Sequence, residues 1–202
     1  MNLTQKLEKI YGAGEPIFLE EIRAAMDGYS SPYVFQCIRK EIAEGRLARF
    51  DESVYYIPQD GFFGKSSLNP SKVVERKYLS DNGKIIGFYS GIGLLNAIGG
   101  TRQMAFVYEI ITNNESTRRR EVQVGKSRYI LRKARCAVNN ENKVILQVLE
   151  LCNNYLWDDE AAEAVLNYAK RNNVTMRDVL RYSQYYPAKA IRNASEVLYG
   201  IA

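Results

Sequence analysis

The stretch that decides the fold of the N-terminal part is residues 31–58, which read SPYVFQCIRKEIAEGRLARFDESVYYIP. Its first half has the periodicity of a helix. The apolar side chains that fall on one face of that helix are Val34, Phe35, Ile38 and Ile42. Ser31 can act as the N-cap with Pro32 at the first helical position, and Gly45 supplies the stop. The sequence therefore predicts an amphipathic helix that ends before residue 45.

The opposite face of this helix is polar. At about 100° per residue, and with Arg39 on the flank, the side chains on that face are Tyr33, Gln36, Lys40, Ala43 and Glu44. Two short β-prone runs follow at 47–50 and 54–57, around the tight turn 51–53. A helix that offers Tyr, Gln, Arg and Lys on one face suits a DNA groove. The alternative is an ordinary helix and hairpin in a small α+β domain.

The segments before and after this stretch complete a domain plan. Helices are predicted at 3–12 and 19–26, with a minimal strand at 17–18 between them. Together with the polar-faced helix and the hairpin, they predict a winged helix-turn-helix domain at residues 1–60. Residues 61–70 are rich in turn formers and are predicted to be a linker, in which Phe62, Phe63 and Leu68 pack against other residues.

Residues 71–202 are predicted to form the second domain, so that the whole chain is of the α+β class. Its first part, 71–136, should be an α+β core with a helix at 71–79, strands at 84–89 and 105–112, and a hairpin at 121–132 around Gly125-Lys126. Pairing in this core should be mostly antiparallel, and Ser90 should cap a helix at 91–98. Residues 140–202 should be helical, with a capping box at Thr175 and Asp178.

The composition excludes several kinds of function. The 202 residues include no histidine, and the three cysteines, Cys37, Cys136 and Cys152, are far apart. The sequence therefore predicts no metal site, no disulfide framework, no cofactor and no enzymatic activity. No segment is apolar enough for a signal peptide or a membrane span, so we expect a cytoplasmic protein with no membrane partner. A net charge of +5 favours an acidic partner such as nucleic acid.

A second basic surface is predicted around the hairpin of the second domain. Its residues are Arg118, Arg119, Arg120, Lys126, Arg128, Arg132, Lys133 and Arg135. A ribbon of arginines can contact phosphate. The alternatives are a solvated hairpin face, or partners for acidic residues elsewhere in the chain. Glu109, Glu121 and Lys126 loosely resemble a metal-dependent nuclease core, but their spacing is wrong, so nuclease activity is not expected.

The chain also resembles a known family. The segments that carry the resemblance are NPSKVVERKYL at 69–79, GFYSG at 87–91, ITNNE at 111–115, VG at 124–125, LRKAR at 131–135 and DVLRYSQYYP at 178–187. Together with the preceding winged helix, they are similar to the AbiEi-type antitoxins of bacterial abortive-infection systems, which act in type IV toxin–antitoxin pairs in phage defence. The resemblance spans nearly the whole chain.

The resemblance implies an N-terminal winged helix that represses its own operon by binding inverted repeats in double-stranded DNA. It also implies a C-terminal domain that counters a nucleotidyltransferase-like toxin, AbiEii, without a stable complex, and a basic surface that contributes to repression. The residues expected to meet DNA are Ser31, Tyr33, Gln36, Arg39 and Lys40 in the major groove, with Arg46 and Arg49 on the backbone. Relatives often carry arginines and a glycine at the wing tip, where this chain has Asp51-Glu52-Ser53. Because an acidic tip repels phosphate, we expect contacts led by the helix.

Two other functions remain compatible with the sequence. The chain could be an interaction module that neutralises a toxin by direct binding through the 118–135 hairpin or the C-terminal helices. It could also be a winged-helix transcriptional regulator without a toxin partner. Co-purification with the product of the neighbouring gene separates the first from the leading hypothesis, and the gene neighbourhood decides the second.

Overall fold

A computed structural model describes residues 2–61, 64–156 and 158–200 of the chain. The protein is of the α+β class, as predicted. It divides into two compact units, Met1–Arg76 and Lys77–Ala202. Residues 71–76, predicted to begin the second domain, therefore belong to the first unit. Of the predicted linker, Phe62 and Phe63 lie outside the described residues, while Leu68 is buried.

The first unit contains short strands between helices. Its helices are α1 (Leu3–Tyr11), α2 (Leu19–Ala25), α3 (Ser31–Ala43) and α4 (Pro70–Val74). Its strands are β1 (Ile17–Phe18), β2 (Ala48–Asp51), β3 (Val54–Tyr56), β4 (Asp60–Gly61) and β5 (Gly64–Lys65). The first three strands form an antiparallel sheet in the order β1-β3-β2, in which Tyr55 is opposite both Ile17 and Arg49.

Helix α3 packs its apolar face into the core of this unit. Val34 and Ile38 are buried, and Phe35 and Ile42 are partly buried against the same cluster. The core side chains that receive them include Leu7, Ile17, Ile22, Leu47, Tyr55 and Ile57. The predicted N-cap is displaced by one residue, since Ser30 holds that position without a side-chain hydrogen bond and Ser31 is the first helical residue. Burial of one face fixes which side of α3 meets solvent.

The second unit is a mixed sheet with helices. Its strands are β6 (Ser80–Asp81), β7 (Lys84–Ile85), β8 (Gly87–Ser90), β9 (Tyr108–Thr112), β10 (Arg120–Val124) and β11 (Ser127–Lys133). Its helices are α5 (Gly91–Ala97), α6 (Lys143–Asn154), α7 (Asp159–Arg171), α8 (Met176–Arg181) and α9 (Ala188–Tyr199). A π-helix, Glu75–Leu79, follows α4, and a 3₁₀ turn, Ser183–Tyr185, follows α8.

The four-stranded sheet of this unit has the order β10-β11-β9-β8. Its pairs are antiparallel except β11 with β9, which is parallel and aligns Leu131 with Ile110. Phe88 and Ile111 pack from the sheet into a core that includes Leu149 of α6. The hairpin β10–β11 turns at Gly125-Lys126, as predicted. Because β11, the last strand among the described residues, pairs with β10 on one side and with β9 on the other, it lies inside the sheet.

One local prediction in this unit is corrected and another is confirmed. Ser90 occupies the N-cap position of α5, but its hydroxyl makes no capping bond and is buried without a hydrogen-bond partner. The predicted capping box is present, since Thr175 Oγ1 and Asp178 Oδ2 lie 2.6 Å apart and each side chain bonds the other's backbone N–H.

Within the described residues, no helix is both long and apolar enough to cross a membrane.

Candidate nucleic-acid interface

One face of α3 is open to solvent. The exposed residues on it include every predicted groove-facing side chain, namely Ser31, Tyr33, Gln36, Arg39 and Lys40. Because the apolar face of the same helix is buried, these side chains project on one side of the unit. Glutamine and arginine can bond base edges, and lysine can bond phosphate. The structure thus brings donors of several kinds onto one accessible helix surface.

Sequence reasoning missed an aromatic pair at the start of this surface. Tyr29, in the turn before α3, stacks on Tyr33 with ring centroids 5.1 Å apart and planes 22° apart. Both rings are largely exposed, at 61% and 46%. A side-chain hydrogen bond with Cys37 raises the pKa of Tyr33 above its ordinary 10.0. Because Tyr29 lies outside the helix, its spacing from Tyr33 did not predict the stack, which depends on the path of the turn before α3.

Arg46 forms ion pairs with acidic residues of its own unit. Its Nε lies 2.7 Å from Oε2 of Glu41, which is only 5% exposed, and its guanidinium also pairs with Glu44. The Thr4 hydroxyl donates to the same Glu41 oxygen over 2.5 Å. The hydrogen bond from Arg46 keeps the pKa of Glu41 low despite burial. Much of the positive charge of Arg46 is therefore offset, and Glu41 links Arg46 at the end of α3 to Thr4 of α1.

Arg49 folds over the acidic turn between β2 and β3. Its Nε donates to the carbonyl of Asp51 and its Nη2 to the carbonyl of Glu52, each over 3.1 Å. The guanidinium remains exposed and stands beside the two acidic residues of the turn. Its positive charge reduces the negative potential there. The tip of the β2–β3 hairpin therefore repels phosphate less than its two acidic residues alone would.

Half of the predicted basic surface in the second unit is paired with acids. Arg120 bonds Glu115 over 2.8 Å, and Arg128 lies 3.7 Å from Glu121 in an exposed pair. The next paired residue, Arg132, contacts Glu109 at 2.7 Å. These arginines are therefore ion-pair partners of acidic residues, which is one of the alternatives that the sequence left open.

A fully buried carboxylate organises two of these arginines. Glu150 of α6 is 0% exposed, and its oxygens lie 3.3 Å from Arg132 and 3.1 Å from Arg135. Burial by itself would lower the pKa of Arg132, but Glu150 and Glu109 raise it overall. The Arg135 guanidinium also lies 5.0 Å from the centre of the Tyr186 ring. These contacts fix both guanidinium groups in place.

The other cations of the set are accessible. Arg118, Arg119, Lys126 and Lys133 are exposed, and none of them forms an ion pair with another described residue. A groove of about 680 Å³ is lined by Ser116, Arg118, Arg119, Arg132, Lys133, Ala134 and Arg135. Because Glu109 and Glu150 offset Arg132 and Arg135, the groove has three uncompensated positive charges. Such a groove can hold phosphate or another anion.

Neither the comparison with protein families nor that with curated sequences gives a match to this chain. Within the described residues, no three His, Cys, Asp or Glu side chains are grouped so as to hold a metal ion. The chemistry available at the two surfaces is hydrogen bonding and charge attraction, carried by α3 in the first unit and by the groove in the second.

Proposed function

We propose that the protein is a DNA-binding antitoxin of the AbiEi type, which represses its own operon and counteracts a nucleotidyltransferase-like toxin. The observation that carries this proposal is the exposed face of α3, with Tyr33, Gln36, Arg39 and Lys40 free of the core. The element order α1-β1-α2-α3-β2-β3 and the sheet order β1-β3-β2 support it, because winged helix-turn-helix domains have this arrangement.

The residue types on α3 favour sequence reading over simple attraction to phosphate. A glutamine can bond the N6 and N7 atoms of adenine together, and an arginine can bond O6 and N7 of guanine. Gln36 and Arg39 therefore supply base-edge contacts, while Lys40 supplies a phosphate contact. Arg46, whose charge is offset by Glu41, stabilises the C-terminal end of α3 through that ion pair.

The second unit supplies the antitoxin function in this proposal. Its uncompensated cations, Arg118, Arg119 and Lys133, line the groove and are the side chains through which it acts, on phosphate or on a target linked to the toxin. The resemblance implies no stable complex with the toxin. A toxin-rescue assay tests this part, with the full chain carrying Glu at all three positions. Rescue should be lost, and rescue equal to the unchanged chain would contradict the role of the groove.

The decisive test of DNA binding is fluorescence anisotropy with duplexes from upstream of the protein's own coding sequence, using the full chain. Binding should prefer inverted repeats and should weaken steeply with salt, since each phosphate contact releases counterions. The double change Gln36→Ala, Lys40→Ala should weaken it by at least about tenfold, because each lost base or phosphate contact costs about 1–3 kcal/mol. Lys170→Ala, at an exposed position of α7, is the control and should bind normally. Unchanged binding by the double variant would refute the assignment of α3.

A second candidate function is direct capture of a toxin, and one observation favours it. Phe106 and Met104, between α5 and β9, are 94% and 76% exposed, and exposed apolar surface can mark a site of protein contact. Co-purification with the neighbouring gene product would give a stable 1:1 complex that Phe106→Ser disrupts. Absence of that complex from the unchanged protein would exclude this candidate.

A further inference from the structure

A cavity of about 610 Å³ opens beside the exposed face of α3. It lies among α1, the turn before α3 and α3 itself, and its lining includes Leu3, Lys6, Met26, Tyr29, Tyr33 and Lys40. Cavities that bind small molecules commonly measure about 300–1,000 Å³ and combine apolar walls with a few polar groups. This cavity has both properties.

The apolar part of the lining suits a flat ring. Tyr29 and Tyr33 form a stacked aromatic pair, and Leu3 and Met26 add aliphatic and thioether surface. Aromatic side chains attract other rings by stacking or by edge contacts, and methionine sulfur also packs favourably against rings. The lining therefore favours an aromatic ligand over a purely aliphatic one.

The charged part of the lining suits an anion. Lys6 donates one hydrogen bond to the carbonyl of Ala25 and, as an ammonium group, has two further donors. Lys40 is exposed and lines the same cavity. The acid in the lining, Glu41, is offset by Arg46 at 2.7 Å and by the Thr4 hydroxyl at 2.5 Å. The two lysines thus dominate the local charge.

We propose that this cavity binds a planar aromatic carboxylate, with the ring against the tyrosine pair and the carboxylate on Lys6 and Lys40. Tyr33, Gln36 and Lys40 belong both to the cavity and to the face of α3 assigned to DNA. A ligand there excludes DNA from the same side chains, so such a compound acts as an inducer. This regulatory step rests on the proposed DNA binding, whereas the ligand site itself does not.

The ligand site is tested with salicylate as the probe, by isothermal titration calorimetry on the full chain without DNA. Salicylate should bind at one site and about tenfold more tightly than benzamide, since only the carboxylate forms charge-assisted hydrogen bonds. Lys6→Gln should weaken salicylate binding by about tenfold. Lys9→Gln is the matched control, because this exposed lysine lies on the same helix but outside the cavity lining.

A second variant separates loss of the site from loss of the fold. Leu3→Trp should fill the cavity and abolish salicylate binding, while circular dichroism and the thermal midpoint stay near those of the unchanged chain. Failure of salicylate to bind the unchanged chain would overturn the proposed site, as would binding that Lys6→Gln and Leu3→Trp leave intact. Neither result bears on whether α3 binds DNA.

The regulatory step is tested by adding salicylate to the anisotropy titration. At concentrations that saturate the site, it should weaken DNA binding by the unchanged chain by about tenfold or more, and should leave that of Leu3→Trp unaffected. Binding of salicylate with no effect on DNA affinity would overturn competition while leaving the ligand site in place. If no duplex binds at all, the proposed function fails, and calorimetry still decides the ligand site.

Discussion

The guanidinium of Arg132 and the carboxylate of Glu150 lie 3.3 Å apart, although the Glu150 side chain is completely removed from solvent. A buried carboxylate is costly unless it is paired and hydrogen-bonded. Arg132 from β11 and Arg135 just after it satisfy this requirement from one side of α6. Glu150 therefore joins the sheet to the helical part of the second unit. It also fixes Arg132 and Arg135, two residues of the basic groove.

Glu150→Gln should lower the free energy of unfolding by about 3 kcal/mol, because it removes the carboxylate that two partly buried arginines require. Chemical denaturation in urea measures the change. Glu121→Gln is the matched control, since the exposed pair of Glu121 with Arg128, at 3.7 Å, should contribute less than about 0.5 kcal/mol. Equal stability of the two variants would contradict a structural role for Glu150.

At low pH, the folded protein should lose the stability that the ionised carboxylate of Glu115 contributes. Burial raises the pKa of this group, but the N–H and hydroxyl of Thr117 and the Arg120 guanidinium together lower it to about 2, from the ordinary 4.5. Since the pKa is lower in the folded state, the contribution is complete above pH 4.5 and is lost as the pH falls toward 2. The unchanged chain should exceed Glu115→Gln in stability by about 2 kcal/mol at pH 7.

Urea midpoints measured from pH 7 to pH 2 check this expectation. Other carboxylates titrate in both proteins, so the difference between them isolates Glu115. That difference should shrink steadily below pH 4.5. A difference that stays constant down to pH 2.5 would show that Glu115 is not held ionised by its partners.

Arg46 and Arg39 should respond differently to the same change. Arg46→Ala leaves the buried Glu41 without its main partner and should lower the free energy of unfolding by about 2–3 kcal/mol. Arg39→Ala, at an exposed position on α3, should change stability by less than about 0.5 kcal/mol but weaken DNA binding. Thermal unfolding and anisotropy, measured on both variants, give the comparison. A stable Arg46→Ala protein would free this residue for the backbone contact first predicted for it.

Gly87 should not tolerate a side chain. A Cβ atom there would lie 2.1 Å from the carbonyl oxygen of Tyr78 and 2.8 Å from that of Ile111, and neither backbone group can easily move. We expect Gly87→Ala to cost about 3 kcal/mol, measured by urea denaturation. Gly93→Ala is the control within α5, because its nearest neighbour is a ring atom of Tyr108 at 3.2 Å and alanine favours helix. Similar stability of both variants would contradict the close approach at Gly87.

The local elements were largely predictable because their signals are local. The periodicity of Val34 and Ile38 predicts α3, and Gly125-Lys126 between β-prone runs predicts the hairpin. Pairing across the chain was less accessible. Nothing in the sequence near residues 108–112 indicates that β9 lies parallel to β11, since register between distant strands depends on packing of the whole sheet.

The charged surfaces were predictable in composition but not in availability. The sequence of a run of arginines is the same whether the guanidinium groups are free or paired. The acids that bind Arg132 and Arg135 are Glu109 and Glu150, which are distant in the sequence, so the pairing could not be predicted from the run itself. The stack of Tyr29 on Tyr33 likewise depends on how the turn before α3 folds back. The sequence therefore predicted which surfaces are basic, whereas the structure distinguishes free cations from those that hold the fold.

The inner position of β11 has a consequence for synthesis of the chain. Strands β8 and β9 can pair as soon as both leave the ribosome, but the partner on the other side of β9 is translated only after β10. Until then, the nascent chain presents an unpaired strand edge with buried-type side chains at Ile110 and Ile111. A pause in translation after β9 has left the ribosome and before β11 has done so would prolong that state, and during it the growing chain is most exposed to misassembly.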